Sequence, residues 1–188
     1  VLASASPARA RLLAQAGVAF DVAVSGVEEH GADVEGLARS KASAVAARVG
    51  AGLVLGCDSM FELDGEVFGK PASADEAKAR WRQMRGRSGV LHTGHCVIDA
   101  ESGASASDVD SAVVRFGSPS DAEVDAYIAT GEPLRVAGGF TLDGLGSPFV
   151  EAVEGNPGTV IGVSLPMVRR LLAQLDVEMT SLWGTHPC

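Results

Sequence analysis

Lysine is scarce in this chain: among 188 residues only Lys41, Lys70 and Lys78 occur, so the setting of each is informative. Basic residues number 15 against 24 acidic ones, a formal net charge of −9. That balance excludes a general nucleic-acid binder, which would carry a basic footprint. It leaves room for a phosphate-bearing substrate, since a few well-placed cations suffice to hold one. Cysteine is limited to Cys57, Cys96 and Cys188. The odd number and the lack of any C-x-x-C spacing point to a reducing cytoplasm rather than a disulfide framework. No apolar run approaches the ~20 residues of a membrane span, and the best, residues 51–57, is strand-length. The opening Val1-Leu-Ala-Ser4 has no basic leader, so no signal peptide is read. Hydrophobic residues, by contrast, make up 46% of the chain and are evenly spread, which rules out intrinsic disorder. A chain of this length fits one domain or two compact lobes, and needs no disulfide or structural metal to fold.

Strand-like and helix-like segments alternate with no repeat and no low-complexity linker, which indicates an α/β protein. Val1–Ser4 reads as a short buried strand. Ser6-Pro7 reads as an N-cap with proline at the first helical position, opening a helix that stops at Gly17. Phe20–Val24 suggests a second strand, and the alanine-rich stretch from Asp33 to Val49 a helix with Lys41 in its middle. Leu53–Cys57 is an apolar strand ending at Asp58, followed by a hairpin turn at Asp64-Gly65. Ser73-Ala-Asp-Glu76 is a capping box that opens a helix through about Met84. Leu91–Asp99 and Val109–Phe116 read as strands, and Ser118-Pro119 as the start of a helix stopped by Gly131. A glycine-rich stretch, Gly138–Gly146, leads into short strands, and Leu165–Leu175 closes the pattern as an amphipathic helix.

Four places in this pattern can carry chemistry. Ser4-Ala-Ser6-Pro7-Ala8-Arg9 lies at a strand-to-helix junction, where free backbone N–H groups and the positive dipole end receive phosphates. The competing reading is an ordinary capped helix with a surface arginine. Asp58, at the end of an apolar strand, sits where α/β folds place ligands, and could bind a divalent metal or activate water. It could equally be a turn-initiating aspartate. Gly69-Lys70-Pro71 is not a Walker loop, because the glycine spacing is one residue short and proline replaces the required Ser/Thr, yet Lys70 could reach a phosphate as a point charge. Glu28-Glu29 is either a solvated loop or a second oxygen ligand for Mg²⁺ or Mn²⁺ beside Asp58. His92-Thr-Gly-His95 has His-x-x-His spacing, but on a strand the two rings face opposite sides, which argues for packing over zinc. No dinucleotide fingerprint and no GxSxG elbow is present.

Taken in order, these segments resemble the Maf family of nucleoside triphosphate pyrophosphatases, also known as septum formation inhibitor proteins. Leu2-Ala-Ser-Ala-Ser-Pro7 with Arg9 resembles the family's opening phosphate-binding motif, and Ser25-Gly-Val-Glu-Glu29 its S-x-V-D-E. Ala38-Arg-Ser-Lys41-Ala42 resembles its A-x-x-K-A helix. Gly56-Cys-Asp58-Ser59, Asp64-Gly-Glu66 and Gly69-Lys-Pro71 resemble its (G/A)-x-D-(T/Q)…D-G-x…G-K-P block. Ala129-Thr-Gly-Glu-Pro133, Ala137-Gly138 and Gly162 with Leu165-Pro166 complete the series, in variants similar to the actinobacterial branch.

The resemblance implies hydrolysis of a nucleoside triphosphate between the α and β phosphates, giving a monophosphate and pyrophosphate. It implies a single Maf-like domain over residues 1–188, of two-lobed α/β fold akin to the inosine-triphosphatase group. That fold has a mixed sheet, helices packed on it and a central cleft, and is often a homodimer. Asp58 matches the family's proton acceptor, working with a divalent cation (Mg²⁺, Mn²⁺ or Co²⁺) held by Asp58 and Glu29. Lys70, Glu29 and Lys41 complete the implied catalytic set, and Ser4, Ser6, Arg9, Ala8, Ser59 and Asp143 the substrate-binding set. Neither nucleic acid nor membrane is an implied partner.

Three positions depart from the family pattern. Ala8 stands where arginine or, in one branch, tryptophan is usual; Ser59 stands for Thr or Gln; Asp143 stands for Gln or Glu. These positions accompany preference for thymidine and uridine triphosphates in one branch and 7-methylguanosine triphosphate in another, and this chain matches neither set. A carboxylate at 143 could accept from a guanine N–H edge, which tilts the expectation toward a purine. The rival expectation is a regulator of cell division that binds a nucleotide or partner without turnover. A third is a general phosphatase releasing orthophosphate.

Overall fold

A computed structural model describes residues 1–28, 31 and 33–184. Among them are six α-helices and a five-stranded antiparallel sheet of order β2-β1-β3-β4-β5, an α/β protein as expected. The strands are β1 (Leu53–Leu63), β2 (Glu66–Phe68), β3 (Ser88–Asp99), β4 (Ser105–Phe116) and β5 (Val150–Glu154). The helices are α1 (Pro7–Gln15), α2 (Val34–Val49), α3 (Ala74–Met84), α4 (Asp121–Ala129), α5 (Pro157–Ile161) and α6 (Leu165–Gln174). The parallel component is confined to single-residue bridges of Leu2 with Val22 and with Leu55. The segments read as strands at Val1–Ser4 and Phe20–Val24 are therefore reduced to one bridge residue each. No described helix is long and apolar enough to cross a membrane.

Local signals account for most boundaries. Ser6 caps α1, accepting from the Arg9 N–H, and Pro7 occupies the first turn, where its missing N–H costs nothing. Asp33 caps α2, accepting from the Gly36 N–H. Asp64 and Gly65 both have positive φ, 54° and 83°, the backbone a tight two-residue hairpin demands. Ser73 caps α3, but the Glu76 carboxylate accepts from the Ala72 N–H, one residue before the cap. One helix start moves: α4 is opened by Ser120, in a reciprocal capping box with Glu123, and not by Ser118-Pro119. After Gly146 a single strand, β5, forms where several were expected.

The chain divides into two compact units. The first comprises 1–58, 93–110 and 162–188. Its strand residues alternate between two apolar clusters, as the two-residue period requires. Leu55, Cys57 and Val97 pack with Leu13 of α1 and Val168, Leu171 and Leu172 of α6. Val54, Cys96 and Ile98 pack with Ala38, Ala42 and Val45 of α2. The second unit comprises 59–92 and 111–161 and collects seven of the nine aromatic residues. Phe61, Trp81, Phe116, Tyr127, Phe140 and Phe149 meet edge to face at centroid separations of 4.9–5.9 Å. A low aromatic content is thus concentrated in one core.

Candidate functional site

In the first unit the sheet carries a buried ion pair. Asp58 (4% exposed) accepts from the Lys41 ammonium at 2.5 Å through Oδ1, with Lys41 itself 5% exposed. Asp58 does not end a strand: β1 runs on five residues to Leu63. A charge in an apolar run reads as a strand end because an unpaired carboxylate is too costly to bury. Here a lysine 17 residues away in sequence, on a different element, supplies the counter-charge. Asp58 Oδ2 is buried and has no hydrogen-bond partner among the described residues.

The pair depends on a close approach of helix to sheet. Gly56, two residues before Asp58 and on the same strand face, leaves no room for a side chain: a Cβ would lie 2.2 Å from the Ala38 carbonyl oxygen and 2.8 Å from the Ala42 nitrogen. Gly94 on β3 seats the start of α2 in the same way, with a Cβ falling 2.1 Å from the Val34 carbonyl oxygen. Ala38, Lys41 and Ala42 share the buried side of α2, so the helix lies on two glycines and Lys41 meets Asp58. The alanines of the A-x-x-K-A motif are packing residues for that contact.

The helix start at α1 is also organised. Ser4 Oγ accepts from the Ser6 N–H and from Arg9 Nη1, both at 3.2 Å. Arg9 further donates Nη1 to the Cys57 carbonyl at 2.9 Å and Nε to the Gly162 carbonyl at 2.8 Å. Arg9 is therefore fixed against backbone oxygens, one of them next to Asp58, and carries a structural duty beyond the charge expected of it. Ala8 is half-buried in the same turn. Glu28 is exposed, and Glu29, expected as catalyst and metal ligand, lies outside the described residues, as does Cys188. Among the described residues no group of three or more His, Cys, Asp or Glu side chains could hold a metal ion.

The remaining expected residues lie in the second unit. Ser59 is half-buried, and Lys70 is exposed just after Gly69, whose carbonyl accepts from Arg80 Nη1 at 2.6 Å. Asp143 is exposed in the 141–146 segment. That segment closes on Glu132, whose carboxylate accepts from Thr141 Oγ1 at 2.5 Å and Tyr127 Oη at 3.1 Å. It also accepts from the Leu145 and Gly146 N–H groups, both at 3.3 Å. Burial opposes the Glu132 charge, but the donors from Thr141, Leu145 and Tyr127 prevail and hold its pKa below the ordinary value. Glu132 matters as the anchor of the Asp143 segment, which Thr-Gly-Glu-Pro signalled only as a motif.

The two histidines separate as the strand period requires. His92 meets Ser111 and Glu62 in the second unit, whereas His95 is fully buried in the first and accepts from the Ser164 N–H at 2.8 Å through Nε2. Burial, aided by the Arg9 charge, pushes His95 down to about 4. The unfolded chain takes up a proton near 6.5 and the folded chain only near 4. The neutral ring therefore contributes full stability above 6.5 and loses it as the pH falls toward 4. Over the whole window this is worth about 3 kcal/mol at roughly 1.4 kcal/mol per unit. Urea unfolding at pH 6.5 and pH 5 should show the native protein losing about 2 kcal/mol more than His95→Gln. Equal losses would mean that His95 is not the titrating group.

The fold and this site define an α/β protein built around one buried, lysine-paired carboxylate. The chain belongs to the Maf-like protein family, whose model matches residues 1–175. A nucleoside triphosphate pyrophosphatase of Salinispora tropica is 53% identical over 203 residues, covering 100% of this chain and 90% of that protein. One of Streptomyces coelicolor is 55% identical over 193 residues, covering 98% and 94%. One of Rhodococcus jostii is 51% identical over 205 residues, covering 98% and 96%.

Proposed function

We propose that this protein is a nucleoside triphosphate pyrophosphatase, a hydrolase that cleaves the α–β phosphoanhydride to release a monophosphate and pyrophosphate. The observation that carries the reading is the buried Asp58–Lys41 pair with one carboxylate oxygen unengaged, in a chain about half identical to proteins of that name. Lys41 orients Asp58 through Oδ1. A water held by Oδ2 attacks the α phosphorus, its oxygen forming the new P–O bond as the bond to the bridging oxygen breaks. Asp58 takes the water's proton and pyrophosphate leaves. Lys70 offsets phosphate charge, and Ser4 and Ser6 donate at the start of α1, where the backbone N–H groups and helix dipole add to them.

A divalent cation fits this site. A carboxylate has about four lone-pair directions, of which Lys41 uses one, and a hard cation commonly takes one or two carboxylates with the rest of its ligands from phosphates and water. Asp58 would hold it, with Glu29 as the proposed second ligand. When bound, it supplies charge neutralisation of the triphosphate and a more acidic water. We read the whole chain, 1–188, as one Maf-like domain. The cytoplasm is the proposed compartment, supported by the buried free thiols of Cys57 and Cys96, the former pushed up to about 11 by burial. A homodimer is the proposed assembly.

Ala8, Ser59 and Asp143 are the proposed specificity positions, and the exposed carboxylate of Asp143 supports a purine base through acceptance from its N–H edge. The test is a panel of standard and modified nucleoside triphosphates with Mg²⁺, Mn²⁺ or Co²⁺ and product identification. Pyrophosphate with guanine nucleotides turned over fastest is expected. Turnover of dTTP and UTP alone would defeat the purine assignment, orthophosphate as product would make the protein a general phosphatase, and no turnover would leave a binding regulator.

A further inference from the structure

Arg80 is among the few charged side chains this fold buries, 4% exposed on the face of α3 that also carries Ala77, Trp81 and Met84. Its guanidinium carbon lies 4.6 Å from the centroid of the Phe68 ring, and Nη2 pairs with Glu76 at 2.7 Å. Nη1 donates to the Gly69 carbonyl at 2.6 Å, and the same carbonyl accepts from the Gly138 N–H at 3.1 Å. The next residue, Trp81, donates its indole N–H to the Gly139 carbonyl at 3.0 Å. A Cβ on Gly139 would come within 3.1 Å of Pro71 Cγ, so the 69–71 and 138–139 segments pack on each other. Two adjacent residues of one helix turn thus pin both segments.

Helix packing by itself does not call for a guanidinium here. Burying one is costly unless its donors are matched, and Arg80 Nε has no partner among the described residues. A leucine or methionine would fill the volume without that cost. What the charge adds is a strong, directed bond to the carbonyl immediately before Lys70. Lysine is a flexible point charge with no preferred fork geometry, so its precision has to come from the backbone that carries it.

We infer that Arg80 is a positioning residue for Lys70: by clamping the Gly69 carbonyl it fixes the path on which the Lys70 side chain leaves the backbone and so where its ammonium meets the substrate phosphates. The inference rests on the proposed phosphate role of Lys70, and the experiment separates the two. Pyrophosphate release is measured for the full chain, Lys70→Ala, Arg80→Met and the double variant, each checked for folding by circular dichroism. Lys70→Ala should lower kcat/KM about 100-fold and Arg80→Met about 10-fold. The double variant should be no worse than Lys70→Ala, because residues acting through one another are not additive. Arg80→Lys, which keeps a donor for Gly69, should recover most of the loss, and Arg80→Leu, which removes that donor, replaces Arg80→Met in the cycle if that variant does not fold. A double variant about 1,000-fold down, the product of independent effects, would overturn the inference. Wild-type kcat/KM in Lys70→Ala would instead remove the phosphate role of Lys70 and the inference with it.

Discussion

Asp58→Asn is expected to lower pyrophosphate release about 10³-fold, within the range a general base contributes. Asparagine keeps the shape of the side chain but offers an amide where the carboxylate would take a proton. The same change acts on stability, because Lys41, 5% exposed, loses the charged partner 2.5 Å from it. Removing one partner of a buried pair costs roughly 3–5 kcal/mol, so the urea midpoint should fall with the activity. The two effects come apart in Asp58→Asn combined with Lys41→Met, which replaces the pair by groups that need no charged partner. Most of the lost stability should return in the double variant while activity stays absent. Activity of Asp58→Asn within tenfold of the native protein would take the proton-accepting role away from Asp58.

Gly56→Ala carries the second large effect, although residue 56 touches no substrate in the proposed reaction. The new Cβ would meet backbone atoms of Ala38 and Ala42 at 2.2 and 2.8 Å, and backbone cannot rotate aside as a side chain can. Overpacking of this kind costs about 1–3 kcal/mol or more. The relief available is for α2 to lift from β1, and Lys41 lies in the turn between those two alanines. A displacement of about 1 Å at a catalytic group costs on the order of 10²-fold in rate. The expected result is a folded protein with kcat down about 100-fold and a lowered thermal midpoint. Native kcat in Gly56→Ala would show that the Lys41–Asp58 geometry does not depend on this seat.

Residues whose roles rest on local chemistry were legible in the sequence. Ser6-Pro7 opens α1, Asp33 opens α2, and Asp64-Gly65 turns the first hairpin, each through interactions with neighbours three or fewer residues away. The opposite faces of His92 and His95 follow from strand period alone. Misreadings arose where a distant partner changed the cost of a residue. Asp58 looked like a strand end because Lys41 is remote in sequence. Ser118-Pro119 looked like a helix start because nothing local revealed that Pro119 is buried and its carbonyl accepts from Arg85. Arg80 and Glu132 carried a faint signal, a charge on an otherwise apolar helix face and a motif glutamate between turn residues, but their partners lie in separate segments.

The sequence by itself determined the class of fold, the starts of α1, α2, α3 and α6, the scarcity of cations and the ordered motifs by which the chain is recognised as Maf-like. Composition, period and capping act over a few residues, so a linear reading suffices for them. Only the tertiary structure decided that Asp58 is buried mid-strand against Lys41, that Gly56 and Gly94 seat α2, and that Arg9 donates to the Cys57 and Gly162 carbonyls. It alone decided that Arg80 clamps the segment carrying Lys70. Each of these turns on the balance between desolvation and pairing, and the partner that settles that balance arrives only when the chain has folded.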